Sequence, residues 1–252
     1  MNQSLDTYLD LCTQVYDLSK PNPPKEAYDF YLSYVKEVNG AILEPMCGSG
    51  RFLLPMLADG LAIEGFDASS SMLSALKTKA SAKKIKPVIW QGLIEDLNQP
   101  KTYELIFIPS GSFGLITNLQ TIKNALTAIY RHLVPGGLFV FEVETFAALP
   151  KELGLWRGSR WRLDNNKFIL LSQLAMLEED ICYSIGKYEL IHGHSIIQTE
   201  IEEYKIRLYN DPTFLLDLLK RVGFRQIELI KAFDRSQSPS THDESIVYEC
   251  RK

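Results

Sequence analysis

Ala41-Ile42-Leu43-Glu44-Pro45-Met46-Cys47-Gly48-Ser49-Gly50 decides the fold. A short apolar run ends in an acid, passes through a glycine-rich turn and leads into Arg51-Phe52-Leu53-Leu54. That order reads as a buried strand, a tight loop and a helix, the first unit of an open α/β sheet. Gly48 and Gly50 remove a Cβ where the backbone has to pass close to a ligand. In such sheets ligands bind beyond the carboxyl ends of strands where the strand order reverses, and this loop lies at that end. A helix opening near Arg51 aims free N–H groups at the same place, which favours an anionic group such as a carboxylate. Pro55 falls near its first turn, where a missing N–H costs little.

The same grammar continues downstream. After the first run at 41–43, apolar runs at 61–66, 87–90, 105–108 and 138–143 alternate with amphipathic segments. Each reads as a strand buried on both faces, as in a parallel sheet covered by helices. Ser69-Ser70-Ser71 caps a helix over 72–83, and a helix over 120–133 stops at Pro135-Gly136-Gly137. Upstream, 4–18 and 25–38 read as helices parted by Lys20-Pro21-Asn22-Pro23-Pro24. Beyond Pro150, mixed runs over 160–208 break at 164–166, 178–180 and 192–193, an antiparallel meander laid over the edge or mouth of the core. Asn210-Asp211-Pro212 opens a helix over 213–221, Gly223 ends it, and strands at 225–232 and 245–250 close the sheet. The expected architecture is one domain over 1–252: a doubly wound, mostly parallel seven-stranded α/β sheet. N-terminal helices occupy 1–39 and an antiparallel β insertion occupies 153–209.

Composition removes several function classes. The 252 residues are 46% hydrophobic and 23% charged, with 27 Lys plus Arg against 31 Asp plus Glu, a formal charge of -4. Phosphate binding needs a basic surface, so this balance speaks against a nucleic-acid partner. No run approaches the ~20 apolar residues of a membrane span, and the first residues lack a secretory pattern. Cys12, Cys47, Cys182 and Cys250 are scattered, as reduced cysteines of a cytoplasmic protein would be. His132, His192, His194 and His242 hold no ligand spacing with a cysteine pair, so no metal is expected.

Seventeen residues past Gly50 the second strand ends at Asp67. An acid there accepts hydrogen bonds from both hydroxyls of a ribose. Loop and acid together specify an adenosine-bearing ligand. A dinucleotide loop needs a small third residue at G-x-G-x-x-G, and counting from Gly48 that position is Leu53. Glu44 likewise suits a positively charged ligand better than a phosphate.

ILEPMCGSGRFLLP, IEGFDASSSML, VIWQGLIEDL, YELIFIPSGSFGLI, HLVPGGLFVFEVE and LLKRVGF stand in the order and spacing of a known family. With them the sequence resembles the class I S-adenosylmethionine-dependent methyltransferases, in particular the bacterial methyltransferase-domain group of small-molecule type, over roughly 28–145 and 210–250. The resemblance implies a Rossmann-like methyltransferase fold with S-adenosyl-L-methionine as cofactor. It implies that Glu44, Met46, Cys47, Gly48, Ser49 and Gly50 cradle the methionine part and that Asp67 holds the ribose. Ala68 and Met72 would flank the adenine, while Gly92, Leu93 and Ile94 meet its edge. Pro109 and Ser110 would line the methyl-transfer face, and the N-terminal helices, with Tyr16, would close over the cofactor. Met46 stands where glycine is common, and Leu93 where an aspartate often binds the adenine amino group.

The acceptor is expected to be a small molecule offering an N or O atom, with the 153–209 insertion as pocket wall and the protein a monomer or homodimer. Ser112, Phe113 and Trp161 are candidates to contact it, and His194 and Tyr204 are candidate general bases. Several of these have plainer readings: Met72, Tyr16 and Trp161 also suit a packed core, and His192-x-His194 one face of a strand. The sequence around 109–112, Pro-Ser-Gly-Ser, lacks the asparagine-proline-proline-aromatic pattern of adenine N6 methylation. An RNA or protein methyltransferase, or a non-catalytic S-adenosylmethionine-binding protein, is the alternative.

Overall fold

The computed structural model describes residues 7–252; the first part of the helix expected over 4–18 lies outside them. Two N-terminal helices, α1 (Asp10–Ser19) and α2 (Lys25–Glu37), precede the core. The core then runs β1 (Ile42–Pro45), α3 (Leu53–Ala58), β2 (Ile63–Asp67), α4 (Ser70–Ala82), β3 (Val88–Gln91), β4 (Tyr103–Ile108), α5 (Leu119–His132) and β5 (Leu133–Glu144). Four further strands follow: β6 (Arg157–Arg162), β7 (Lys167–Glu178), β8 (Ile181–His192) and β9 (Ser195–Arg207). The chain ends with α6 (Thr213–Val222), β10 (Gln226–Lys231) and β11 (Ser245–Arg251).

The main sheet has seven strands in the order β10-β11-β5-β4-β1-β2-β3. Pairs among β1 to β5 are parallel, while β11 runs antiparallel to both neighbours. The order reverses between β1 and β4, so their carboxyl ends open the crevice where such sheets bind ligands.

Alternate residues of the central strands feed two cores. Leu105 and Phe107 of β4 with Leu138 and Val140 of β5 face α2, α3 and α4. Ile106 and Ile108 with Phe139 and Phe141 face α5 and α6. This two-sided burial is why each strand reads as an unbroken apolar run. Local chemistry sets the helix ends: Ser69 Oγ accepts the Met72 N–H at 3.1 Å, and Asn118 Oδ1 accepts from Gln120 and Thr121.

Two boundaries differ from expectation. Pro135-Gly136-Gly137 does not lie between helix and strand but in a bulge inside β5, where the register jumps from Tyr103↔Leu133 to Leu105↔Leu138. Gly136, at φ 78°, makes that turn. The helix expected near Arg51 starts at Leu53 and has six residues, because Gly50 at φ 82° keeps the chain in a turn through Phe52. The helix start expected to aim free N–H groups at the loop is therefore displaced from Arg51 to Leu53.

β6 to β9 form a separate antiparallel sheet in simple order. Its turns fall at 163–166, 179–180 and 193–194, close to the expected breaks. On it α1 packs Leu11, Cys12 and Val15 against Ile169, Leu171 and Tyr188. No helix among the described residues is long and apolar enough to cross a membrane.

Candidate active site

The glycine loop is fastened to the end of β2. Cys47 donates its N–H to the Phe66 carbonyl at 3.0 Å, and its Sγ lies over Gly65, where an added Cβ would approach it to 3.0 Å. Gly48 donates to Asp67 Oδ2 at 2.8 Å, and Ser69 to Asp67 Oδ1 at 2.8 Å. Burial pushes the Asp67 carboxyl up, and these N–H donors pull it back. Met46 holds φ 57°, Gly48 φ 54° and Gly50 φ 82°. The left-handed turn thus begins on a residue with a side chain, which explains why glycine would be at ease in the Met46 position.

A cavity of 420 Å³ opens beside this loop. Tyr16, Met46, Gly48, Asp67, Ala68, Met72, Gly92, Leu93 and Ile94 line it, as do Ser112 and Tyr204, so eleven of the residues singled out from sequence border one cavity. Cys47, Ser49 and Gly50 support the loop from behind: Ser49 is 1% exposed, and a Cβ on Gly50 would meet Leu54 and Leu76 at 2.9 Å. Pro109 is buried beneath the loop after β4.

Two buried polar atoms beside the cradle lack partners, Glu44 Oε2 and Arg51 Nε. They are opposite in charge. Burial pushes the Glu44 carboxyl well up, while Arg51 draws it down. The Arg51 guanidinium lies 5.7 Å from the Tyr16 ring centroid and donates to Ser110 Oγ. Unsatisfied buried groups are rare and costly, so an unpartnered carboxylate oxygen and an unpartnered guanidinium N–H beside one cradle are a fit for a zwitterion. With Asp67 on the cavity wall, the residues present fit S-adenosylmethionine, whose methionine end is such a zwitterion.

α1 roofs the cavity and is tied down at both ends. Its first N–H groups lack a side-chain cap of their own. Glu202 of β9 accepts from Tyr8 and Leu9 at 2.7 and 2.8 Å, and Glu200 accepts from Leu11 at 2.7 Å. Carboxylates suit the positive end of a helix. At the other end Asp17 Oδ1 accepts from Ser49 Oγ at 2.6 Å and from Lys79 Nζ at 2.7 Å.

A second cavity of 250 Å³ adjoins the first, and Tyr8, Tyr16, Ser112, Leu115 and Tyr204 line both. Its remaining wall includes Lys20, Arg51, Ser110, Gly111, Glu144, Gln173, Cys182 and Ser184. Ser110 and Gly111 are left-handed, at φ 63° and 66°. Glu142 holds this turn by accepting the Ser110 N–H at 3.1 Å and the Tyr31 hydroxyl at 3.3 Å.

Three candidates lie elsewhere. Phe113 is fully buried, its ring 4.7 Å from Phe141 in the core. Trp161 sits on the outer strand β6, packs with the α1 cluster and donates Nε1 to Ser159 Oγ at 3.0 Å. His194 falls in the exposed turn between β8 and β9, which Gly193 makes at φ 63°. Ten residues of extended chain separate it from Tyr204, on the order of 30 Å. Sequence reading missed Tyr8, Lys20, Arg51, Glu95 and Glu144. Glu95 lines the first cavity two residues past Leu93, and Glu144 ends β5 as Glu44 ends its apolar run. An acid at the carboxyl end of a parallel strand was the available signal. No group of three or more His, Cys, Asp or Glu residues among the described residues could hold a metal ion.

Residues 42–137 match the methyltransferase-domain family. A protein named as a methyltransferase in Geobacillus sp. (strain WCH70) is 21% identical over 94% of this chain and 96% of its own. Among solved structures, an S-adenosylmethionine-dependent methyltransferase from Clostridium acetobutylicum ATCC 824 superposes with TM-score 0.75 at 22% identity, covering 94% of this chain and 96% of that one. The sugar N-methyltransferase KedS8 from Streptoalloteichus sp. ATCC 53650 gives TM-score 0.74 at 15% identity, covering 95% and 92%. Residues 42–137 thus match a methyltransferase domain, and the chain shares its Rossmann-like fold with S-adenosylmethionine-dependent methyltransferases.

Proposed function

We propose that the protein methylates an N or O atom of a small molecule held in the second cavity. The observation that carries this reading is the shared wall: Tyr8, Tyr16, Ser112, Leu115 and Tyr204 border both cavities, so a ligand in each would meet there. The cofactor supplies a methyl group already activated on a sulfonium sulfur.

The chain's own residues hold and shield. The Asp67 carboxylate takes the ribose hydroxyls, and Glu44 and Arg51 take the ammonium and carboxylate of the methionine end. Ala68, Met72, Gly92, Leu93 and Ile94 enclose the base, with Glu95 offering the carboxylate that Leu93 does not, while Met46 stays with the loop around the methionine part. Ser110 and Ser112, after β4, face the acceptor, and Tyr204 of β9 closes the junction with a hydroxyl whose pKa burial pushes up. For an in-line transfer, orientation alone can supply ~7–11 kcal/mol. The β6–β9 sheet and α1 provide it by walling off water. A small-molecule acceptor agrees with the net charge of -4, and KedS8 is named for an acceptor of that size class.

Thermal-shift titrations with S-adenosylmethionine, S-adenosylhomocysteine and NAD test the cofactor side. A ligand at a hundred times its Kd adds ~2.7 kcal/mol, roughly 5–11 °C at this chain length. Both sulfur ligands are expected to raise Tm and NAD to leave it unchanged. Transfer of labelled methyl to a pool of small amines and alcohols tests the acceptor side; transfer only to RNA or protein would sink it.

A further inference from the structure

β5 carries two acids on one face at its carboxyl end, Glu142 and Glu144. Glu142 is satisfied by Ser110 and Tyr31. Glu144 stands one step nearer the second cavity, and among the described residues no donor reaches its carboxylate. The backbone makes room for it there. An added Cβ on Gly111 would lie 2.9 Å from Glu144 Cγ and 3.1 Å from its Oε1, so the left-handed glycine lets the carboxylate fold over the turn after β4.

Five titratable groups face it: Lys20 from the end of α1, Glu142 on its own strand, Glu244 ahead of β11, and Cys182 and Tyr204 from the antiparallel sheet. Lys20, the cation among them, sits 5.4 Å from the Tyr16 ring centroid and makes no ion pair with Glu144. A partly buried carboxylate accepts hydrogen bonds and cannot donate, so it needs a donor, and a charged one offsets its desolvation best.

Resting on the methyltransferase reading, we propose that Glu144 selects an amine as the acceptor, binding its N–H and taking its proton, and that an alcohol is not the substrate. In the step, an ammonium N–H proton moves to the Glu144 carboxylate. The freed nitrogen lone pair forms the N–C bond as the C–S bond breaks, and that bond's electron pair stays on sulfur. The proton returns to water when the product leaves.

Calorimetric titration with three matched pairs tests this: glucosamine and glucose, cyclohexylamine and cyclohexanol, benzylamine and benzyl alcohol. Each is run at pH 7 with and without saturating S-adenosylhomocysteine. At least one amine is expected to bind roughly 10- to 100-fold more tightly than its alcohol. Glu144→Gln should erase that preference and leave the S-adenosylhomocysteine Kd within about twofold. Equal behaviour within every pair, including no binding by either member, overturns the proposal, as does a preference that survives Glu144→Gln. Because the preference is also read without S-adenosylhomocysteine, failure of that ligand to bind counts against the methyltransferase reading alone.

Discussion

Ser49 Oγ donates to Asp17 Oδ1 at 2.6 Å, joining the middle of the glycine loop to the last turn of α1. The same carboxylate takes Lys79 of α4. Roof and cradle are therefore one hydrogen-bonded unit around a charged acceptor, where such bonds contribute about 1.5–3 kcal/mol. Asp17→Ala is expected to weaken S-adenosylhomocysteine roughly tenfold or more. Calorimetry reads this, and an unchanged Kd would show that α1 does not shape the cavity.

Asp67 organises the loop from both oxygens, so its loss unfastens Gly48 and Ser69 and takes away the ribose acceptor proposed above. Asp67→Ala should reduce cofactor affinity by about 100-fold or more, the equivalent of two charge-assisted hydrogen bonds. The far-ultraviolet circular dichroism should stay native. Affinity within tenfold of wild type would place the ribose elsewhere.

Met46 pays the strain of φ 57° with an unbranched side chain. A β-branched residue is far less at ease in that region. Met46→Val is expected to destabilise by about 1–2 kcal/mol, a drop of roughly 2–8 °C in Tm, and Met46→Gly by less. Melting curves in the absence of ligand decide it; equal losses would mean that the side chain's packing, and not the backbone, sets the cost.

Glu44, Asp67, Glu142 and Glu144 all have carboxyls pushed up by burial. Between the unfolded values, ~3.9 for the aspartate and ~4.3 for the glutamates, and the raised folded ones, the native state holds protons that the unfolded chain has lost. Their contribution is thus full below the unfolded pKa and falls as pH rises through the folded one. The ligand-free protein should gain Tm on moving from pH 7 toward pH 5.5, by a few degrees. Glu44→Gln should flatten that dependence and raise ligand-free Tm at pH 7, while weakening cofactor binding. A steeper dependence in the variant would contradict the assignment of Glu44 as the unsatisfied group.

The sheet was legible because both faces of its strands are covered: Phe107 and Ile108 are adjacent, point opposite ways and are both fully buried. Asp67 was legible because one α/β repeat fixes its distance from Gly50. Glu144 was not, since its setting is assembled by Gly111, Lys20 and Cys182, which only the folded chain brings together. Trp161 and His194 lie off both cavities for a related reason. Alternation identifies a strand, but not which end of a hairpin reaches the core or which face meets a helix.

β9 puts Glu200, Glu202 and Tyr204 on one face, two residues apart. The first two hold the start of α1, and the third lines both cavities. The pairing of β8 with β9 carries an irregularity between Leu190 and Ile191, close to the tip of their hairpin. A slip of one residue there would turn all three side chains to the opposite face. The roof of the first cavity and the wall shared with the second would then be lost in a single event, with the seven-stranded core untouched. The alignment of one hairpin, set near its exposed tip, thus governs whether the two cavities keep their common wall.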